Sequence, residues 1–264
     1  MRKPKKVWLF LWGKYSLLSA KKYTTIAGTL VFFLIMSLVP MAFWAVLLVG
    51  KLPVDTQKMF SLPVFEGVSG VFDYIRREAQ NATSGASVFL IVTTLYSATN
   101  LFYQMRKSGE IIYDFPHRKQ GVKMRLGAVA VLFIVMALAV LTVLLFAIGA
   151  FFLSRIITGV WEWIADYLLL ATLAFLLVLL LNIYICPYKV SPKCFLGGSL
   201  LTVLSWAVAI VGFAVYLKIG NLDRLYGALS ALIVFLLWLY ILMLCFVSGV
   251  IFNSERVFRS LKTR

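Results

Sequence analysis

Charge is scarce in this 264-residue chain: 14% of its residues are Asp, Glu, Lys or Arg, and only 10 are acidic. Soluble domains carry about 25%. With 62% apolar residues and a mean hydropathy of +0.95, the deficit excludes an ordinary water-soluble fold, because no aqueous core absorbs so much apolar surface. Histidine is nearly absent. His117 stands alone, which rules out zinc or iron sites built on two imidazoles, and no metal is expected. The three cysteines, Cys186, Cys194 and Cys245, include no Cys-x-x-Cys pair and are too few for a disulfide framework, so they read as free thiols. No phosphate-binding loop, dinucleotide-binding glycine turn or nucleophile elbow occurs. Neither an enzyme nor a cofactor is expected.

What is abundant is long apolar sequence. A hydrocarbon core about 30 Å thick needs about 20 apolar residues at a helical rise of about 1.5 Å. Six stretches qualify, at about 24–50, 84–104, 126–154, 167–188, 195–217 and 226–253, and none contains Lys, Arg, Asp or Glu. They are apolar all round and lack the two-residue alternation of barrel strands, so each must close its backbone hydrogen bonds within a helix. The expected fold is all-α and polytopic, with six transmembrane helices.

Basic residues set the orientation, since cytoplasmic segments retain Lys and Arg during insertion. Of the 26, 19 fall in 1–23, 105–125, 189–194 and 254–264, and seven fall in the alternate connections. Both termini are therefore expected on the cytoplasmic side. The formal charge of +16 is dispersed over four short segments rather than one basic face, so nucleic acid is not an expected partner.

The domain organisation follows. Residues 1–22 form a basic and aromatic cytoplasmic segment, 23–254 the six-helix domain, and 255–264 a short basic tail. In the first, Trp8, Leu9, Leu11, Trp12, Tyr15 and Leu18 recur at helical spacing beside Lys3, Lys5 and Lys6. This predicts an interfacial helix in which Lys3, Lys5, Lys6, Trp8 and Trp12 meet lipid head groups. In the outer connection, Val64, Phe65, Val68, Val71, Phe72 and Ile75 share one helical face, predicting an amphipathic helix over 59–78.

Within the spans the polar residues are neutral, among them Ser37, Asn100, Asn182, Thr202 and Ser205. No intramembrane carboxylate is available to bind a coupling ion. Neutral groups either hydrogen-bond helices together or line a pathway. Gly198, Thr202, Ser205, Ala209 and Gly212 repeat at spacings of four and three, a small-residue stripe that admits a close helix neighbour. Pro40 removes a backbone donor from the first span and predicts a kink there.

The order of these elements resembles the YihY/BrkB family of bacterial envelope proteins. The likeness is clearest from Ile185 to Glu255: the Pro187 turn with Lys189 and Lys193, Gly197-Gly198 opening span five, Trp206 and Tyr216. Tyr226-Gly227-Ala228-Leu229 then opens span six, with Trp238-Leu239-Tyr240 inside it, and Ser37-Leu38-Val39-Pro40 fits the first-span pattern. Members commonly show Gly-Ala-Glu-Leu-Asn at the end of the last span, whereas this chain reads Gly249-Val250-Ile251-Phe252-Asn253. Any proton site at the acidic position is thus lost at Ile251. The resemblance implies a six-helix plasma-membrane protein linked to envelope integrity, virulence and lipid export. Some relatives carry the label ribonuclease BN, which a chain with one histidine does not inherit.

Ser37, Pro40, Asn100, Asn182, Ser205, Tyr226, Trp238 and Tyr240 are accordingly the candidate pathway or packing residues. The leading expectation is transport or translocation of lipid-like or small molecules. Its rival is a non-transporting scaffold that recruits a protein partner. Membrane lipids, a second copy of the chain or an envelope protein are the expected partners.

Overall fold

The computed structural model describes residues 16, 18–50, 84–116, 121–156, 160–219 and 228–262. The interfacial segment with Lys3, Lys5, Lys6, Trp8 and Trp12, the outer segment 59–78, His117 and Tyr226 lie outside the described residues. Those described form six long α-helices, α1 (Tyr23–Gly50), α2 (Ser84–Ile112), α3 (Gly121–Ile156), α4 (Val160–Ile185), α5 (Leu196–Ile219) and α6 (Ala228–Lys262), with a 3-10 turn at Pro192–Phe195. No strand occurs among them. Four stretches are long and apolar enough to cross a membrane: Gly121–Leu141, Leu168–Ile185, Pro192–Tyr216 and Ile233–Lys262. Large apolar side chains such as Leu204, Val208, Val211 and Leu237 stand exposed on them, a surface only lipid suits.

Hydropathy marks where a helix meets hydrocarbon, not where its hydrogen bonds end, and the helix bounds show the difference. α2 continues past Gln104 to Ile112, and α6 runs without a break through 254–262. α4 stops at Ile185. The end of α2 is built by a Schellman motif: the Phe115 N–H donates to the Glu110 carbonyl (2.9 Å) and the Asp114 N–H to that of Ile111 (3.4 Å). Asp114 takes the left-handed position, φ 48°. Glycine is usual there, and Asp is among the few other residues that tolerate it. At Lys22 (φ 52°) a second left-handed residue turns the chain into α1, and Lys21 Nζ meets Asp114 Oδ2 at 2.5 Å. At the other junction Ser191 is extended and Pro192 opens the 3-10 turn, where a missing N–H costs nothing.

The chain divides into two compact units. One comprises Met1–Phe32, Gln104–Lys119 and Ala174–Arg264. Its core joins Ile26, Ala27 and Leu30 of α1, Met105 and Ile112 of α2, Val178 and Ile185 of α4, and Phe246, Val250 and Ile251 of α6. The antiparallel pair α5 and α6 dominates it: the Trp206 indole donates to the Leu242 carbonyl (2.8 Å), and Phe213 stacks on Trp238 with centroids 5.2 Å apart. The second unit comprises Phe33–Tyr103 and Gln120–Leu173. There Ala98, Thr99 and Phe102 of α2 and Ala128, Leu132 and Met136 of α3 are buried, and the Ser97 hydroxyl donates to the Met36 carbonyl of α1 (3.3 Å).

Candidate functional site

Three helices of the first unit meet at a closed polar seam. Asn182 of α4, Ser199 of α5 and Asn253 of α6 each have no exposed surface. The Asn253 amide nitrogen donates to Asn182 Oδ1 (2.9 Å), while the Asn182 amide donates to Ser199 Oγ (3.2 Å) and to the Val178 carbonyl (2.9 Å). Asn253 Oδ1 accepts the Gly198 N–H at 2.7 Å. Gly198 lies in the first turn of α5, where a backbone donor has no partner in its own helix, so Asn253 caps α5 from another helix. Close approach makes this geometry reachable. A Cβ on Gly198 would lie 2.2 Å from the Gly249 carbonyl oxygen, and one on Gly249 would lie 2.1 Å from Thr202 Oγ1. Only glycine fits at this crossing.

A cleft of about 630 Å3 opens beside the loop that joins α4 to the 3-10 turn, lined by Arg106, Ile183, Cys186, Pro187, Tyr188, Lys189, Val190, Ser191 and Phe195. Arg106 is its fixed charge. Its Nη1 donates to the carbonyls of both Tyr184 and Cys186, satisfying acceptors at the end of α4 that lack helical partners. The guanidinium lies 6.0 Å from the Tyr184 ring centroid. One turn along α2, a Cβ on Gly109 would sit 2.1 Å from the Ile185 carbonyl oxygen, so α2 and the end of α4 touch backbone to backbone there. Phe115 packs edge-on against Tyr188 at 5.2 Å. Behind the loop, Tyr113 is fully buried, with the Cys186 thiol beside its hydroxyl. Burial, with the Cys186 thiol beside it, pushes the Tyr113 pKa well above the usual phenol range, so the hydroxyl stays protonated.

In the second unit Arg125 of α3 is held by α2. It donates to Asn100 Oδ1 (2.7 Å) and to the Tyr96 hydroxyl (2.9 Å), and its guanidinium carbon is 4.2 Å from the ring centroids of both Tyr96 and Tyr103. Asn100 is thus engaged with a cation at the start of α3.

The remaining candidates fall in several places. Ser37 is buried and bonds carbonyls of its own helix, those of Phe33 and Leu34. Pro40 lies inside α1. Ser205 is half-buried on α5, and Tyr240 approaches Gly28 of α1. The Trp238 indole N–H is buried without an acceptor among the described residues. Of the described candidates, only Asn182 joins the seam. The small-residue stripe divides likewise: Gly198 and Thr202 are buried at the crossing, while nothing lies within 4 Å of a Cβ on Gly212. Asn253, Ser199, Arg106 and Arg125 were not singled out by sequence reasoning. For Asn253 a signal existed, the asparagine that closes the family pattern in the last span.

These features define an all-helical membrane protein with a sealed amide seam and a basic cleft at one end of its apolar helices. Residues 15–262 match the Virulence factor BrkB family, and the chain belongs to it. It is 26% identical over 255 residues to a UPF0761 membrane protein of Paraburkholderia xenovorans (strain LB400), an alignment covering 89% of this chain and 57% of that protein. To a putative ribonuclease-like protein, YfkH, of Bacillus subtilis (strain 168) it is 23% identical over 231 residues, covering 81% and 83% respectively. The chain spans little more than half the length of the first relative. No solved structure matches it.

Proposed function

We propose that this protein is a six-span, plasma-membrane protein of the bacterial envelope, with both termini cytoplasmic, that translocates lipid-like or small molecules and carries out no bond-making chemistry. The cleft carries the reading. Its lining joins two cations and two hydroxyls (Arg106, Lys189, Tyr188, Ser191) to an apolar wall (Ile183, Pro187, Val190, Phe195), the mixture an amphiphile requires. It lies between the apolar stretches ending at Ile185 and beginning at Pro192, the depth at which a head group sits. Protein reconstituted in vesicles containing fluorescent phosphatidylglycerol should expose inner-leaflet label to dithionite faster than protein-free vesicles do. If neither labelled lipid nor small solutes move, translocation is wrong.

A second reading has its own observation. The polar groups Asn182, Asn253, Ser199 and Ser37 are fully buried and bonded to one another or to backbone, as in a static scaffold that recruits an envelope protein or a second copy of the chain. Deleting residues 1–22 should abolish recruitment by a scaffold and leave translocation largely intact.

A further inference from the structure

We propose that the cleft beside residues 186–191 binds the phosphate of an anionic phospholipid head group, with Arg106 as the fixed recognition group and Lys189 as a second, rim cation. The inference rests on the lipid-handling reading and names the chemistry of its ligand. A guanidinium offers five N–H donors in one plane, and two adjacent ones match two phosphate oxygens. In Arg106 the Nη1 donors are committed to the Tyr184 and Cys186 carbonyls, which fixes the plane of the group. Nη2 and Nε have no partner among the described residues, so one edge of the fork is oriented before any ligand arrives. Such preorganisation removes part of the ordering cost of binding.

Charge around the cleft favours an anion. Lys189 and Ser191 line it and are exposed, and no carboxylate lines it. Along α2, Glu110 is buried and outside the lining, and Asp114 pairs with Lys21. The apolar side decides between a lipid and a free phosphate. Ile183 is 41% exposed on α4, and with the half-buried Pro187 and Val190 it offers glycerol and upper acyl carbons a dry surface at the edge of a candidate span. Inorganic phosphate has no use for that wall.

The test uses the full chain in uncharged detergent, titrated separately with short-chain phosphatidylglycerol, short-chain phosphatidylcholine and inorganic phosphate. Amide hydrogen exchange of residues 186–191 and the apparent affinity are followed together. Phosphatidylglycerol should protect the loop and bind about tenfold more tightly than phosphatidylcholine, a difference typical of one added charge-assisted contact. Arg106→Gln should weaken it about tenfold. Because Arg106 also holds the end of α4, Lys189→Glu provides the variant that disturbs no packing; it should weaken binding several-fold and flatten its salt dependence. Loop protection by inorganic phosphate equal to that by phosphatidylglycerol would overturn the lipid assignment. An unchanged affinity in Lys189→Glu, or no preference between the two lipids, would overturn the site. Lost binding with intact translocation counts against the cleft alone, whereas intact binding without translocation counts against the transport reading alone.

Discussion

The asparagine seam and the basic cleft are both built on the end of α4, yet they treat polar groups in opposite ways. In the seam, Asn182 and Asn253 are neutral, have no exposed surface, and are bonded to one another and to their neighbours. In the cleft, Arg106 is charged, partly accessible and keeps one edge of its fork without a partner among the described residues. Hydrocarbon explains the contrast. A buried amide without partners costs several kcal/mol in an apolar medium, so the polar groups between helices saturate each other, while a cation is tolerable only where an interface supplies water or counter-charge. Closure therefore reads as architecture, and an unspent donor at the edge reads as recognition.

The largest losses are expected at the crossing of α5 and α6. Gly249→Leu must displace Thr202 and the Gly198 backbone, so a loss of at least about 3 kcal/mol is expected, seen as aggregation or a collapsed melting temperature in detergent. Gly212→Leu on the same helix pair meets nothing within 4 Å and should be neutral or stabilising, by up to about 1 kcal/mol, because it removes a glycine from a helix interior. Next comes Asn253→Leu. It leaves the Gly198 N–H and Asn182 Oδ1 without their bonds, and thermal unfolding should register about 2–3 kcal/mol. Combined with Asn182→Leu, the effect should be clearly less than additive, because both changes strip one network.

Smaller effects are expected at the exposed polar contacts. Arg125→Lys keeps the charge but loses the planar sandwich between Tyr96 and Tyr103, for a cost of about 1 kcal/mol. Asp114→Asn retains tolerance of the left-handed backbone and removes only an ion pair whose acid is 68% exposed, so less than about 1 kcal/mol is expected. That difference should vanish in high salt. Asp114→Ala should cost more than Asp114→Asn, since alanine adds backbone strain of about 1 kcal/mol or more.

How far the sequence could be read follows the same division. Long apolar runs marked the helices because lipid imposes one requirement along their whole length, and Gly198 and Thr202 were visible as small residues at helical spacing. The seam was half visible. Asn182 stands out as a polar residue in an apolar run, but its partner Asn253 sits at the last residue of an apolar stretch, and nothing local says that a side chain on α6 caps α5. Arg106 and Arg125 entered only as charges that orient the chain, because a count of cations carries no information about which carbonyls or rings they will touch. The cleft itself is lined largely by a six-residue loop, 186–191, which follows directly on the contacts that Arg106 and Gly109 of α2 make at the end of α4. Pairings between distant segments leave no periodic trace.

The length of α6 has a mechanical corollary. At 35 residues it is about 52 Å long at the helical rise, well beyond a hydrocarbon core of about 30 Å. The excess turns, carrying Arg256, Arg259 and Lys262, form a stiff handle continuous with the turn that holds Asn253. A pull or twist applied at those cations would be delivered as torque to the junction of three helices, with no slack segment to absorb it.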